Sequence, residues 1–239
     1  TKLASRDAAV SAVAYGPSKL RNAIETGAPV RRNLRTADVQ TVRNSARESL
    51  GIAASARVVV VMGGSLGSAV LNTATEHLVQ SLRSTEHTCV IHIAGERFMD
   101  AVKLPVTMHH GNGTLAYSRI AYSHDMVTLY SAADVVVCRA GASTIAEVST
   151  VGVCAVVVPW KDAAENHQLV NAQWLTSRGG AVLLEENALT AHEFSQLVTE
   201  LLRDDDRRSA IASRARELGA VHRQSSIASV IEGAAKAKV

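Results

Sequence analysis

Glu147 stands three residues after Thr144 in the run ADVVVCRAGASTIAEVSTVG, residues 133–152. Residues three apart share a helix face, so a helix beginning near Ala142, after the turn Arg139-Ala140-Gly141, sets this carboxylate one turn in. There it can accept two hydrogen bonds from a vicinal diol, such as ribose 2′- and 3′-hydroxyls, while phosphate sits at the helix start. An acidic residue that only complements the positive helix end would stand in the same place. A second stretch, VVVVMGGSLGSAVLN (58–72), drives four valines into Gly63-Gly64-Ser65-Leu66-Gly67 and then into a helical pattern. Strand, glycine turn and helix in that order offer unpaired backbone N–H groups to an anion; a tight connection without a ligand uses the same residues. In the third, VPWKDAAENHQLVNAQWL (158–175), a strand stops at Pro159 and His167, Gln168 and Asn171 open a helix. Side-chain amides carry both a donor and an acceptor and suit sugar hydroxyls, although an ordinary capped helix also starts this way.

Other chemistries find less. The glycine spacing is Gly-Gly-x-x-Gly and the next strand ends Ile93-Ala94-Gly95, with Glu96 only after the turn, so the nicotinamide fingerprint is absent. Asp204-Asp205-Asp206 lies between two helical patterns and reads as helix capping. His109 and His110 form a lone pair in a polar loop without zinc spacing. There is no G-x-S-x-G, and Ser65 has no evident His and Asp partners.

The elements that must position these residues alternate regularly. Apolar runs at 57–62, 89–94, 114–120, 134–138, 155–159 and 181–185 predict six strands; helical patterns occupy 67–82, 96–103, 125–132, 142–151, 166–178 and 190–203. This alternation specifies an α/β fold, a Rossmann-like doubly wound parallel six-stranded sheet whose ligands bind off the carboxyl ends of the strands. All three chemical stretches fall there. A helix over 36–50, with Thr36 as N-cap and Gly51 as stop, precedes the sheet; helices at about 205–218 and 224–236 follow it.

A content of 47% hydrophobic but 3% aromatic residues in 239 suits a valine-rich sheet under helices rather than a β-sandwich. The net charge of +3 is too small, without a Lys/Arg run interleaved with aromatics, to indicate nucleic acid. Cys89, Cys138 and Cys154 are far apart and read as buried reduced thiols of a cytosolic protein. No apolar run approaches the ~18 residues of a membrane span. The chain opens on Thr1 rather than Met, and the stretch to about Pro29 (a short helix at KLASRDAA, a strand at SAVAYG, a loop) reads as the tail of a truncated amino-terminal portion.

Taken together, GGSLGSAVLN, ADVVVCRAGASTIAEVSTVG, VVVPW and ENHQLVNA resemble, in order and spacing, the carboxyl-terminal donor-binding domain of the MurG family, and TGAPVRRNL resembles that family's interdomain segment. The resemblance spans nearly the whole chain. It implies the carboxyl-terminal half of a GT-B fold, with residues 1–33 a remnant of the acceptor domain and linker and 34–239 the UDP-GlcNAc-binding domain. The family activity is inverting, metal-independent transfer of GlcNAc from UDP-GlcNAc to lipid I, giving lipid II for peptidoglycan. Carried over by position, Gly64, Ser65 and Gly67 belong to the diphosphate loop, with Arg31 approaching the same phosphates. Ser123 contacts uracil through its backbone. Arg139, Gly141, Ala142 and Thr144 line the diphosphate-facing turn, Glu147 binds the ribose diol, His167 and Gln168 read the GlcNAc hydroxyls, and Asn171 begins the motif's Asn-Ala pair in the same UDP-GlcNAc site. No catalytic residue, metal site or cofactor is expected in this chain, and alone it should transfer nothing. The resemblance further implies a lipid I acceptor bound by the missing domain and, at full length, a cytoplasmic protein peripheral on the inner face of the cell membrane. Leu66 and Ser68 depart from the family turn G-G-S-Q-G-A, and Cys154 replaces a proline. Another UDP-sugar GT-B transferase of glycolipids, a sugar-nucleotide 2-epimerase and a non-catalytic donor-binding subunit with a partner chain are the alternatives.

Overall fold

Val58 to Val61 are completely buried in the computed structural model, which describes residues 3–82, 87–224 and 226–236. Successive strand residues point to opposite faces, and the run divides accordingly. Val58, Val60 and Met62 join one apolar cluster, whereas Val59 and Val61 join another. Each valine taken from water contributes roughly 1.5–3 kcal/mol, which is why an unbroken apolar run rather than an alternating one marks a strand covered on both sides.

The strands are β1 (Ser11–Val13), β2 (Ala23–Glu25), β3 (Arg57–Met62), β4 (Thr88–Ile93), β5 (Thr107–His109), β6 (Leu115–Ile120), β7 (Val135–Cys138), β8 (Ala155–Val157) and β9 (Val182–Leu183). The helices are α1 (Arg32–Thr36), α2 (Arg43–Ser49), α3 (Ala69–Leu82), α4 (Met126–Ala132), α5 (Ala142–Val151), α6 (His167–Thr176), α7 (Ala191–Arg203), α8 (Asp205–Leu218), α9 (Ala220–Gln224) and α10 (Ile227–Lys236). The main sheet runs β5-β6-β4-β3-β7-β8-β9 and is parallel except for β5. Buried residues of α4, α5 and α6 pack on one face, and those of α3 and α7 on the other.

All six expected parallel strands are present. The addition is β5, a three-residue antiparallel edge strand with an irregularity at Met108/His109, so the sheet has seven strands. The histidine pair is therefore not free loop: His109 ends β5 and His110 Nε2 bonds Thr88 O at 2.9 Å. Of the helix expected over 36–50 only Arg43–Ser49 is helical, as α2, and Thr36 ends the preceding α1 across a break instead of capping α2. Asp38 causes the break, since its carboxylate accepts from the Gln40 N–H at 3.2 Å and the Thr41 hydroxyl at 2.8 Å, a local turn that competes with helix. The 96–103 segment holds only a 3₁₀ turn, Glu96–Phe98. The 224–236 segment divides between α9 and α10; its residue 225, like Lys2 of the expected first helix, lies outside the described residues.

At the amino ends of the strands, Asp134 pins α2 to the sheet. Its carboxylate accepts from the Val58 N–H at 2.7 Å and pairs with Arg43 at 2.5 Å and Arg47 at 2.9 Å. The three cysteines are buried and unpaired, and burial pushes each thiol up to about 12. Strands β1 and β2 form a separate parallel pair, and the chain leading from them joins the main core through Ala28 and Val30. Tyr15 stacks 4.9 Å from Trp174 and 5.5 Å from His222, whose Nδ1 accepts from the Ala28 N–H at 2.9 Å.

Candidate functional site

The order of the sheet diverges at β3: β4 and β6 continue to one side, β7 to β9 to the other. Such a switch point opens a crevice at the carboxyl ends of the two central strands. Gly63–Gly67 leaves β3 into this crevice. Gly64 and Gly67 have φ of +85° and +72°, a region that glycine enters freely, and the Gly67 N–H closes the turn on Gly64 O at 3.0 Å. The two glycines serve different ends. A Cβ on Gly67 would stand 2.3 Å from Ala94 O, because this loop packs backbone to backbone on Gly95, whereas one on Gly64 would meet nothing within 4 Å. Ser65 is exposed, and Leu66 is 70% exposed at the tip.

Beneath the loop runs a buried polar chain that sequence reading missed. Asn72 Nδ2 donates to Ala94 O at 3.1 Å, so its Oδ1 must accept from His92 Nε2–H at 2.9 Å; His92 Nδ1 then accepts from the Tyr117 hydroxyl at 3.0 Å. Burial, with Arg119 in support, lowers the His92 pKa to about 4 and keeps the ring neutral. The signal lay in CVIHIA, a polar residue inside an otherwise apolar strand.

At the mouth of β7, Gly141 begins α5 without any side-chain cap, so the first-turn N–H groups of this ten-residue helix have no side-chain acceptor. Ala142 is exposed and Thr144 half-buried. One turn in, Glu147 is half-buried and accepts from the Tyr130 hydroxyl at 3.1 Å. Burial raises the carboxyl pKa; the Tyr130 hydrogen bond and the charge of Arg31 act in the opposite sense. Arg31 is itself exposed, and its charge reaches both Glu147 and Tyr130. From the other side Tyr15 donates its hydroxyl to Ala142 O. Tyr130 was also missed; nothing about a tyrosine in an amphipathic helix reveals which residue it orients.

Arg139 departs from its expected place in a ligand-facing turn. It is 8% exposed, with its guanidinium turned inward to Ser68 Oγ at 2.7 Å, the carbonyls of Val158 and Pro159, and the carboxylate of Glu186. A strand-end arginine is spent here on neighbouring loops, and its counter-charge lies 47 residues downstream.

Helix α6 docks on the same β7 turn. Gln168 Oε1 accepts from the N–H groups of Ala140 at 3.2 Å and Trp160 at 3.1 Å, which fixes the amide orientation and leaves the NH₂ end outward. Asn171 Nδ2 donates to Ala140 O at 3.1 Å. His167 is exposed and its Nδ1 bonds Ala164 O at 2.6 Å, leaving Nε2 outward. Just before it, Glu165 and Asn166 both have φ of +52°, left-handed values uncommon for residues with a side chain. Ser123, between β6 and α4, accepts from the Asp125 N–H at 3.2 Å while Asp125 caps α4. Thus the glycine loop, the α5 start with Glu147, the α6 start and Ser123 all lie at carboxyl ends of strands. Among the described residues no group of three His, Cys, Asp or Glu is placed to hold a metal ion, and no helix is long and apolar enough to cross a membrane.

Comparison with known proteins gives a consistent result. The model of the glycosyltransferase family 28 C-terminal domain matches residues 58–231. The chain is 35% identical over 207 residues to the UDP-N-acetylglucosamine–N-acetylmuramyl-(pentapeptide) pyrophosphoryl-undecaprenol N-acetylglucosamine transferase of Burkholderia thailandensis, covering 84% of this chain and 53% of that protein. The enzyme of the same name from Burkholderia mallei is 36% identical over the same length, with the same coverage. Among solved structures, Acinetobacter baumannii MurG superposes with a TM-score of 0.67 at 29% identity, covering 89% of this chain and 57% of that one. The kitacinnamycin glycotransferase, at a TM-score of 0.61 and 20% identity over 90% of this chain and 50% of that one, shares the fold. The chain spans about half the length of the curated relatives it matches.

Proposed function

The chain belongs to the glycosyltransferase family 28 C-terminal domain family, and from that premise we propose that it is the donor-binding half of an enzyme moving GlcNAc from UDP-GlcNAc to lipid I. The observation that carries the reading is Glu147: a half-buried carboxylate, oriented by Tyr130, one turn into a helix with no side-chain cap that follows β7, the strand next to β3 at the switch point. Keeping a carboxylate where burial raises its pKa costs stability. A ligand that gives it two hydroxyl hydrogen bonds recovers that cost.

In this reading the backbone N–H groups of Gly64 and Ser65 face the diphosphate from the loop that Gly67 closes through its own N–H to Gly64 O, and those of Gly141, Ala142 and Thr144 face it from the start of α5. Glu147 takes the ribose diol, Ser123 meets uracil through its backbone, and Arg31 lends positive charge between Glu147 and the phosphates. His167, Gln168 and Asn171 read the sugar. Gln168 can only donate, because its oxygen already serves two backbone N–H groups, and Asn171 keeps its oxygen to accept. In the transfer an acceptor hydroxyl attacks the anomeric carbon as the bond to UDP breaks. Donors preorganised around the diphosphate stabilise the charge that develops on it. The base and the lipid acceptor site belong to a further domain, of which residues 1–33 would be the remnant and 34–239 the complement; that domain would also bring the enzyme to the inner face of the cell membrane.

Calorimetric titration tests the donor half. UDP and UDP-GlcNAc should bind, with UDP-Glc and UDP-Gal weaker than UDP-GlcNAc, and a lipid I analogue should not be turned over by this chain alone. Equal affinity for all three sugars would favour another UDP-sugar transferase, and turnover by the isolated chain would refute the division of labour.

A further inference from the structure

We propose that Arg139 is a positioning residue, one that fixes the separation between the glycine loop and the α6 mouth without touching the ligand, with Ser68 and Glu186 as its partners. This rests on the reading of the crevice as a donor site. The guanidinium is a rigid planar fork with five donors in set directions. Here those directions reach Ser68 just after the β3 turn, Val158 and Pro159 just after β8, and Glu186 just after β9, while Arg139 itself follows β7. These four strands are adjacent in the sheet, so one side chain ties the carboxyl ends of β3, β7, β8 and β9 together.

Its neighbours in sequence extend the tie. Ser68 follows Gly67 directly, and Pro159 precedes Trp160, whose N–H is held with that of Ala140 by Gln168. The side chain of Arg139 therefore spaces the phosphate-facing loop from α5 and α6, and the backbone of Ala140 anchors α6 to the same point. A guanidinium this enclosed requires its counter-charge, and the Arg139 and Glu186 side chains are only 10% and 7% exposed. Ser68 stands where the family turn carries alanine, so the tie to the glycine loop is a feature of this chain. Small displacements of groups that hold a reacting substrate cost rate and affinity steeply, which gives such a spacer its effect on binding.

The test uses the full chain and the variants Ser68→Ala, Arg139→Lys and the pair. Affinities for UDP and uridine are measured by calorimetry at two salt concentrations, and amide exchange is followed without ligand. Ser68 Oγ accepts from Arg139 at 2.7 Å and from the Leu71 N–H at 3.4 Å, so Ser68→Ala should weaken UDP at least about fivefold, the worth of one hydrogen bond, and leave uridine unchanged. Arg139→Lys should weaken UDP at least as much, and the double variant should be no weaker than Arg139→Lys, since both remove one connection. The salt dependence of UDP binding should be the same in all four proteins, and exchange at Gly64–Gly67 and at Trp160 should quicken in Arg139→Lys. A loss of UDP affinity in Arg139→Lys that Ser68→Ala does not share would instead mean that the guanidinium fork meets the diphosphate directly. Additive losses, or unchanged exchange at both loops, would also overturn the proposal. If the unaltered chain bound no UDP, the donor-site reading would fall, and exchange in the ligand-free proteins would still decide the positioning role. Should Arg139→Lys not fold, Ser68→Ala, which leaves the Arg139–Glu186 pair in place, carries the same comparison.

Discussion

Alanine at Gly64 and alanine at Gly67 should separate the two functions of the glycine turn. Both positions have left-handed φ, +85° and +72°, where a Cβ costs roughly 1–2 kcal/mol. At Gly64 nothing lies within 4 Å of the added carbon, so that is the whole cost to the fold. At Gly67 the carbon meets Ala94 O at 2.3 Å and Phe98 Cδ2 at 2.7 Å. Backbone has to move there, adding the ~1–3 kcal/mol typical of overpacking. Urea denaturation of the ligand-free chain should therefore rank unaltered protein, Gly64→Ala and Gly67→Ala in falling stability, with about 2–5 kcal/mol lost at Gly67. UDP calorimetry should show a different pattern. Gly64→Ala places its Cβ on the open side of the turn, in the space assigned to the diphosphate, and should lose at least about tenfold in affinity, or roughly 1.4 kcal/mol, although its fold is little changed. Unaltered UDP affinity in Gly64→Ala would reduce the turn to a strand-to-helix connection. Equal stability of the two variants would refute the close packing of Gly67 on Gly95.

Glu147→Gln should stabilise the ligand-free chain at neutral pH, because burial raises the native carboxyl pKa and the charged form is the disfavoured one. That advantage should shrink as pH falls and the wild-type group protonates, while UDP affinity drops because a carboxylate acceptor is lost; thermal melts from pH 7 to 4 with parallel titrations check both. His92 has the opposite sense. Its pKa falls from 6.5 to about 4 on folding, so its contribution is intact above pH 6.5 and is lost as pH descends toward 4. His92→Gln should flatten the fall in Tm across that window, with the remaining slope owed partly to His222, whose pKa is also lowered to about 4; identical slopes would rule the buried chain out. Gln168→Glu keeps an acceptor for Ala140 and Trp160 but removes the outward amide donors, so stability should hold while UDP-GlcNAc affinity falls toward that of UDP. Gln168→Ala should instead destabilise the chain by about 1–3 kcal/mol, chiefly through the unmet N–H of buried Ala140, read by urea denaturation.

What could be read from the residues was the framework. Six apolar runs interleaved with helical patterns give six parallel strands, because strands covered on both faces cannot carry polar residues without a partner. The three chemical stretches then fall at strand ends by topology alone. Short or locally determined features were not legible. Strand β5 has three residues and owes its existence to pairing with β6, and the break between α1 and α2 depends on Asp38 bonding its own neighbours. The internal polar chain Tyr117–His92–Asn72 joins residues 20 and 25 positions apart, a separation no local pattern records.

The direction of a polar side chain at a strand mouth is the hardest property to infer, and here it decides the chemistry. Arg139 and Asn171 are residue types that would serve a ligand well, yet each gives donors to the protein's own backbone. The reason is the crowding of strand ends in a parallel sheet. Loops leaving β3, β7, β8 and β9 converge where the ladder hydrogen bonds have stopped, and their carbonyl and N–H groups still require partners. Polar side chains at this rim meet that need first, and the ligand is left with the complementary atoms: the amide donors of Gln168, the carbonyl oxygen of Asn171, the outward nitrogen of His167 and the carboxylate of Glu147. The specificity of such a site thus follows from which half of each polar group the fold has already used.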